Sequence, residues 1–413
     1  MSARVLVVGT ADTKSAEISF LRERVAAAGG QSVFMDVGVL GHGEAVPDIA
    51  NTQVAAAAGK TLQEVTDSGD ENTAMALMAQ GAATLAAQAW GEGRIDALLA
   101  LGGTMGTDLA LEVAGALPLG VPKVLLSTVA FSPLLPPQRI PPDMIMVLWA
   151  GGLYGLNSLC RSALSQAAGA AVGACRAAVA PTFSRPMVGM TSLGSSALKY
   201  MVRLTPALAE RGYELAVFHT TGMGGRAFES LAAAGRFAAV MDFSLQELVN
   251  HLGGSIVSAG PDRLSGAGSA GIPQLVAPGA TDMVDYPAWG TQPARFAGRP
   301  SHAHNRLIAS VCIDPDMRRE VARAIGERLG AAKGPTCLLL PRHGIEEWDR
   351  PGAPLHDPQG LSAFLEEMRR VAPAHVSVRE LDAHINDDAF AAAALEVFDA
   401  WVAEGRVPAA VPR

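Results

Sequence analysis

Short apolar runs with almost no polar alternation recur along this chain, spaced for the most part by stretches of helical periodicity. Val5–Gly9 (VLVVG), Ala97–Leu101 (ALLAL), Lys123–Ser127 (KVLLS) and Thr336–Pro341 (TCLLLP) show the pattern. A strand with one face in water alternates apolar and polar residues, whereas a strand covered on both faces does not. Helices between such strands provide the cover. The pattern therefore demands an α/β fold with largely parallel sheets.

The first half reads as strand and helix in turn. Strands are expected at Val5–Gly9, Ser32–Asp36, Ala97–Leu101, Lys123–Ser127 and Met144–Leu148. Helices are expected at Ser15–Ala28, Asn72–Trp90 and Thr107–Gly115, with an Ala-rich helix before Pro181. Pro181–Pro186 reads as a linker, after which the same grammar restarts. Strands are expected at Pro186–Thr191, Glu214–His219, Ala239–Phe243, Gln274–Pro278 and Thr336–Pro341. Helices are expected at Ser195–Glu210, from Arg226, and at Leu245–His251, Pro315–Leu329, Gly360–Val371 and Ala389–Ala403. A length of 413 residues also favours two domains. The expected architecture is two doubly wound lobes, residues 1–180 and 181–413.

Composition narrows the partners. The net charge is −8 with no basic run, which argues against nucleic acid. The Ala- and Gly-rich stretch ALSQAAGAAVGACRAAVAPTF carries Gln166 and Arg176 and ends at Pro181, so a buried helix is a better reading than a membrane span. The N-terminus enters a strand without the pattern of a signal peptide. Cys160, Cys175, Cys312 and Cys337 are far apart and form no CxxC, the usage of a reduced cytoplasmic protein.

Ligands of open parallel sheets gather at the carboxyl ends of the strands, and several polar or Gly-rich loops stand there. In GTADTK, a helix start offers backbone N–H groups to an anion, Lys14 adds a positive charge, and Thr10 and Thr13 add hydroxyls. Asp12 fits poorly beside bare phosphate and well beside a metal ion or a donor. The same residues also suit a plain helix start, with Asp12 or Thr13 as N-cap and Lys14 in solvent. In LALGGTMGTDLALEVAG, a strand runs into Gly102, Gly103 and Thr104, and Gly106 and Thr107 open a helix. Glycines let a backbone approach a ligand, or merely allow a tight turn. Neither loop is a Walker A sequence.

In the second half, ELAVFHTTGMGGRAFESL places His219 at a strand end, followed by Thr221, Gly222, Gly224, Gly225 and Arg226. A neutral His serves acid–base chemistry near pH 7, and Arg226 can clamp a carboxylate or phosphate. A capping turn with a hydrogen-bonded His is the plainer alternative. VAPGATDMVDY (Asp282, Asp285), HAHN (His302–Asn305) and RELDAHINDDAF (His384, Asn386, Asp387) add further polar loops. Their spacing identifies no metal site. The cysteines read as core residues, and no GxSxG elbow is present.

Taken together and in order, GTADTK, LGGTMGT, FHTTGMGGRAFE, SAGPDRL with AGIPQLVAPGATDMV, and HINDDAF resemble an uncharacterised family. That family is related to the N-terminal, ATP-binding domain of a plant tobamovirus-resistance protein. The resemblance covers nearly the whole chain. It implies two Rossmann-like lobes with an interlobe cleft, ATP binding and self-association into a homo-oligomer, and no settled reaction. Position by position, it implies nucleotide contacts from Gly9, Thr10, Asp12, Thr13, Lys14, Gly102, Gly103, Thr104, Gly106 and Thr107. His219, Thr221, Gly222, Gly224, Gly225 and Arg226 would contribute from the second lobe. The chain departs from the family pattern at STVAFSPLLPPQ and LWAGGLYGLN.

Three functions are therefore weighed. The first is a cytoplasmic ATP-binding protein, with Mg²⁺ joining through Asp12. The second is an enzyme of hydrolase or lyase type acting on a small carboxylated or phosphorylated metabolite in the interlobe cleft. There His219 would be acid or base, Arg226 the anion clamp, and His384 or Asp282 the support. The third is a non-catalytic scaffold whose small-molecule ligand sets lobe closure.

Overall fold

The computed structural model describes residues 2–41, 43–182, 184–194 and 196–411. The chain divides into two compact units, Met1–Thr182 and Phe183–Arg413.

Unit 1 is built on five strands: β1 (Ala3–Gly9), β2 (Gly30–Asp36), β3 (Ala97–Gly102), β4 (Lys123–Ser127) and β5 (Met144–Leu148). All pair in parallel, in the order β2-β1-β3-β4-β5. Its helices are α1 (Ala11–Ala27), α2 (Asn51–Ala57), α3 (Leu62–Thr66), α4 (Glu71–Gly91), α5 (Thr104–Gly115) and α6 (Ser158–Ala177). β1 shows why the strand lacks alternation. Val5 and Val7 pack with Ile18 and Leu21 of α1 and Leu164 and Ala168 of α6. Leu6 and Val8 pack with Met78 and Ala82 of α4 and Leu109 of α5. Both faces are dry, and each buried Val or Leu contributes about 1.5–3 kcal/mol.

Unit 2 carries β6 (Met187–Ser192), β7 (Glu214–His219), β8 (Ala239–Asp242), β9 (Gln274–Val276), β10 (Met283–Pro287), β11 (Ser301–Ala303), β12 (Ile308–Cys312), β13 (Thr336–Pro341) and β14 (Ser377–Leu381). Six form a parallel sheet in the order β14-β13-β9-β8-β6-β7, and a small antiparallel sheet runs β10-β12-β11. Its helices are α7 (Lys199–Glu210), α8 (Met223–Ala233), α9 (Gln246–Leu252), α10 (Gly266–Ala270), α11 (Pro315–Gly330), α12 (Pro358–Val371) and α13 (Asp388–Ala403). On one side of the sheet, Val188 and Met190 of β6 pack with Tyr200 and Leu204 of α7 and Phe390 and Phe398 of α13. The mixed α/β class with two largely parallel, helix-covered sheets is as the apolar runs require.

Several boundaries differ from expectation. The first helix begins at Ala11, not Ser15, so the polar run after Gly9 is its first turn, bent at Lys14 (φ −132°, ψ 22°). Its N-cap is Thr10, rather than Asp12 or Thr13, with no side-chain capping bond. Instead Asp36, at the end of β2, accepts the Ala11 N–H at 2.9 Å. The third strand leads into a helix at Thr104, three residues before the expected start, and the helix expected from Arg226 opens at Met223. The helix expected from Ser195 begins at Lys199; Ser195 itself lies outside the described residues. The antiparallel sheet, β14, α2 and α3 have too few residues each for periodicity to reveal them. Among the described residues, no helix is long and apolar enough to cross a membrane.

Candidate functional site

The first sheet reverses direction between β1 and β3: the chain moves from β1 outward to β2, then returns to the other side of β1. The two loops leaving these strands diverge there and leave a crevice, the ordinary ligand position in such sheets. A cavity of about 540 Å³ occupies it. Gly9, Thr10, Asp12, Thr13 and Lys14 line it from one side, and Gly102, Gly103, Thr104 and Gly106 from the other.

Local chemistry holds these walls in place. A Cβ on Gly102 would fall 2.6 Å from the Gly106 Cα, so only glycine lets β3 turn this tightly into α5. At Gly103 the nearest atom to such a Cβ is the Thr128 hydroxyl, 3.7 Å away, and the backbone has no need of glycine. The N–H groups of Thr104, Met105 and Gly106 open α5 and have no carbonyl one turn back to bond. Thr107 differs. It is fully buried and shares a 2.6 Å hydrogen bond with the Ser127 hydroxyl, so its side chain fixes α5 to β4 beneath the cavity.

Lys14 has no carboxylate within ion-pair distance among the described residues; its ammonium stands 5.0 Å from the centre of the Tyr154 ring. Glu17, on α1, accepts the Gly155 N–H at 2.7 Å and ties the Tyr154 loop to the same helix. Asp12 accepts the Leu40 N–H at 2.8 Å through Oδ2, while its Oδ1 is buried with no hydrogen-bond partner. Thr10 and Thr13 share a hydrogen bond of 2.8 Å between their hydroxyls. One hollow thus offers a cation, hydroxyls, open helix N–H groups and one orphaned carboxylate oxygen. Tyr154, Thr128, Leu40 and Met75 also line it. Thr128 and Tyr154 lie in STVAFSPLLPPQ and LWAGGLYGLN, the segments that depart from the family pattern, whereas no motif marks Leu40 or Met75; only folding gathers the four.

A second cavity of about 360 Å³ adjoins the first, and Met75, Thr104 and Met105 line both. Leu134, Leu135 and Pro136, from the STVAFSPLLPPQ segment, form its far wall.

In unit 2 the corresponding reversal lies between β6 and β8. It is filled by a charged network. Arg263 is fully buried and bonds Glu229, Asp242 and Glu247. The glycine loop after His219 serves this network: Gly222 and Gly225 donate their N–H groups to Glu247 at 2.5 and 3.0 Å. A Cβ on Gly225 would lie 1.5 Å from a Glu247 oxygen. Gly224 is just as constrained, since its Cβ would meet the His219 carbonyl at 1.8 Å. Burial pushes the Glu247 carboxyl up to about 7, against the pull of Arg263 and the two amides.

Of the four residues expected to do chemistry in this unit, His384 and Asp282 lie beside the same two acids, Glu346 and Asp349, while His219 and Arg226 have other partners. His219 and Thr221 line a cavity of about 110 Å³ with Asp285, His304 and Trp348, and His219 Nδ1 accepts the Gly194 N–H at 3.3 Å. Arg226 pairs with Asp262. His384 is buried against the Glu346 carbonyl and the Asp349 carboxylate, at 2.9 and 3.0 Å. Asp282 is fully buried, with neither oxygen bonded. Burial drives its carboxyl up to about 7, the nearby Arg318 opposing, and drives Glu346 up to about 10 with Asp282 adding to the rise. Glu346, Asp349 and Arg263 were not singled out from the sequence. Arg263 lies within SAGPDRL, but its acidic partners are 16 to 34 residues away, and His384 is 38 and 35 residues from Glu346 and Asp349.

Models of two halves of one family match this chain: the N-terminal domain of an uncharacterised protein family, UPF0261, over residues 3–180, and its C-terminal domain over residues 185–402. The chain belongs to the UPF0261 family. A UPF0261 protein of Brucella melitensis is 54% identical over 406 residues, covering 98% of this chain and 97% of its own length. One from Clostridium tetani is 32% identical over 396 residues, 95% and 97% of the two chains. The ToMV resistance protein Tm-1(GCR237) of Solanum lycopersicum is 28% identical over 422 residues, 96% of this chain and 55% of that protein. The plant likeness read from the loops is therefore real at the level of sequence. None of these names specifies a ligand or a reaction.

Proposed function

We propose that unit 1 binds a nucleotide, ATP in the first instance, with its phosphates between the GTADTK and GGTMG segments. The observation that carries this is Lys14, a cation without a carboxylate partner among the described residues, on one hollow with the open N–H groups of α5. Helix N-termini favour anions through their unbonded N–H groups and the helix dipole. A volume of about 540 Å³ suits a small organic ligand. The donor set also fits Mg²⁺: a magnesium ion is commonly held by one or two carboxylates together with phosphate oxygens, and Asp12 Oδ1 is a buried oxygen in need of a partner. In this reading Lys14 offsets phosphate charge, Thr104 and Thr10 orient it, and Asp12 carries the cation.

Calorimetry with MgATP on wild type and Lys14→Ala tests the proposal. Wild type is expected to bind, and the variant to bind at least ten-fold more weakly. No heat in wild type, or equal affinity in both, would count against it.

A further inference from the structure

We infer that the second cavity of unit 1 is a subsite for a flat heteroaromatic ring, of purine type, attached to the anionic group held by Lys14; this rests on the nucleotide reading above. Continuity comes first. Thr104 and Met105 stand at the start of α5 and face both cavities, so one extended ligand can pass over them.

The walls then decide what the far end can be. Met75 on α4 and Met105 on α5 bring polarisable thioethers, and Leu111, Leu135 and Pro136 complete an apolar lining. Methionine sulfur makes favourable contacts with aromatic rings. Asn72 lies three residues before Met75, on the same face of α4, and its side-chain amide supplies both donors and an acceptor. A plain acyl chain would leave that amide unused; a purine has an edge to pair with it.

Charge sets the orientation. The first cavity holds Lys14, with Asp12 also in its lining; at the second, Asp108 is paired with Arg139 and Glu71 has no ion-pair partner among the described residues. A phosphate group is favoured beside the lysine and disfavoured beside Glu71. The uncharged ring therefore takes the α4–α5 side and the anionic arm the β1–β3 side.

The test measures MgATP and magnesium tripolyphosphate binding by calorimetry, on the full chain and on an Asn72→Ala/Leu134→Ala variant, whose two positions line the second cavity and not the first. Asn72 is exposed and Leu134 is 69% exposed, which limits the cost to folding, and a thermal melt confirms that the variant is folded. Wild type is expected to bind ATP at least ten-fold more tightly than tripolyphosphate. The variant is expected to lose about ten-fold for ATP and to keep its tripolyphosphate affinity within two-fold. Equal wild-type affinities for the two, or a variant that weakens both or neither, would overturn the subsite and leave the phosphate site standing. No binding of either by wild type would overturn the nucleotide reading, and the subsite with it.

Discussion

Asp242, the last residue of β8, grips Arg263 through two hydrogen bonds of 2.5 and 2.6 Å. Gly102 ends β3, the strand of equal rank in the first sheet, and borders the larger cavity. The same topological position is thus closed by a salt-bridged plug in one unit and open in the other. A carboxylate and a buried guanidinium make the plug.

Removing the plug's cation is expected to be costly. Arg263→Met leaves Glu229, Asp242 and Glu247 buried without their shared counter-charge. Losing one partner of a buried ion pair costs about 3–5 kcal/mol. Urea denaturation of unit 2 should show a loss of that order, and a loss under 1 kcal/mol would mean that the network is not holding the fold.

Stability is expected to fall as pH rises above neutrality. The Asp282 and Glu247 carboxyls sit near 7 in the folded protein and Glu346 near 10, all raised by burial. In the unfolded chain such groups lose their protons near pH 4. Between those limits the native state holds more protons than the unfolded state, so stability decreases with pH. The contribution of Glu247 declines from about pH 4 and levels off above about 7, while Asp282 and Glu346, which raise each other, release their protons as a pair whose contribution continues to decline toward 10. One proton held only by the native state corresponds to about 1.4 kcal/mol per pH unit. Denaturation midpoints from pH 7 to 9 should drop in wild type and drop less in Glu346→Gln; identical slopes would refute the assignment.

The two glycines at the turn out of β3 should behave differently. Gly102→Ala brings a Cβ to 2.6 Å from the Gly106 backbone and should destabilise unit 1 by about 1–3 kcal/mol. Gly103→Ala meets nothing closer than 3.7 Å and should melt like wild type. Differential scanning calorimetry distinguishes the two; similar melting shifts would show that the turn is not held by that close approach.

Thr104 and Thr107 also separate. Thr107→Val loses its hydrogen bond to Ser127 and should cost about 1 kcal/mol of stability, with ATP affinity little changed. Thr104→Val, at an exposed residue on both cavities, should keep its stability and weaken ATP binding several-fold. The reverse pattern would assign the ligand contact to Thr107.

The turn residues were readable as a group because a strand ending in glycine and threonine before a helix has few other uses. What each residue does was not readable. GTADTK looks like a loop in one dimension, yet Ala11 joins the helix because Asp36, from the next strand, accepts its N–H. GMGG looks like a phosphate cradle, yet two of its amides bond Glu247, more than twenty residues on. Thr104 and Thr107 look alike, and burial alone divides them.

The sequence by itself determined the fold class and the strand edges on which polar chemistry would collect, because two-sided burial forbids polar alternation and leaves polar residues to the loops. Only the tertiary structure decided which loop amides and charges stay open to a ligand and which are consumed internally. The reason is that a hydrogen bond or ion pair needs a partner within about 3 Å, and the partners here are brought in from distant segments that no local pattern announces.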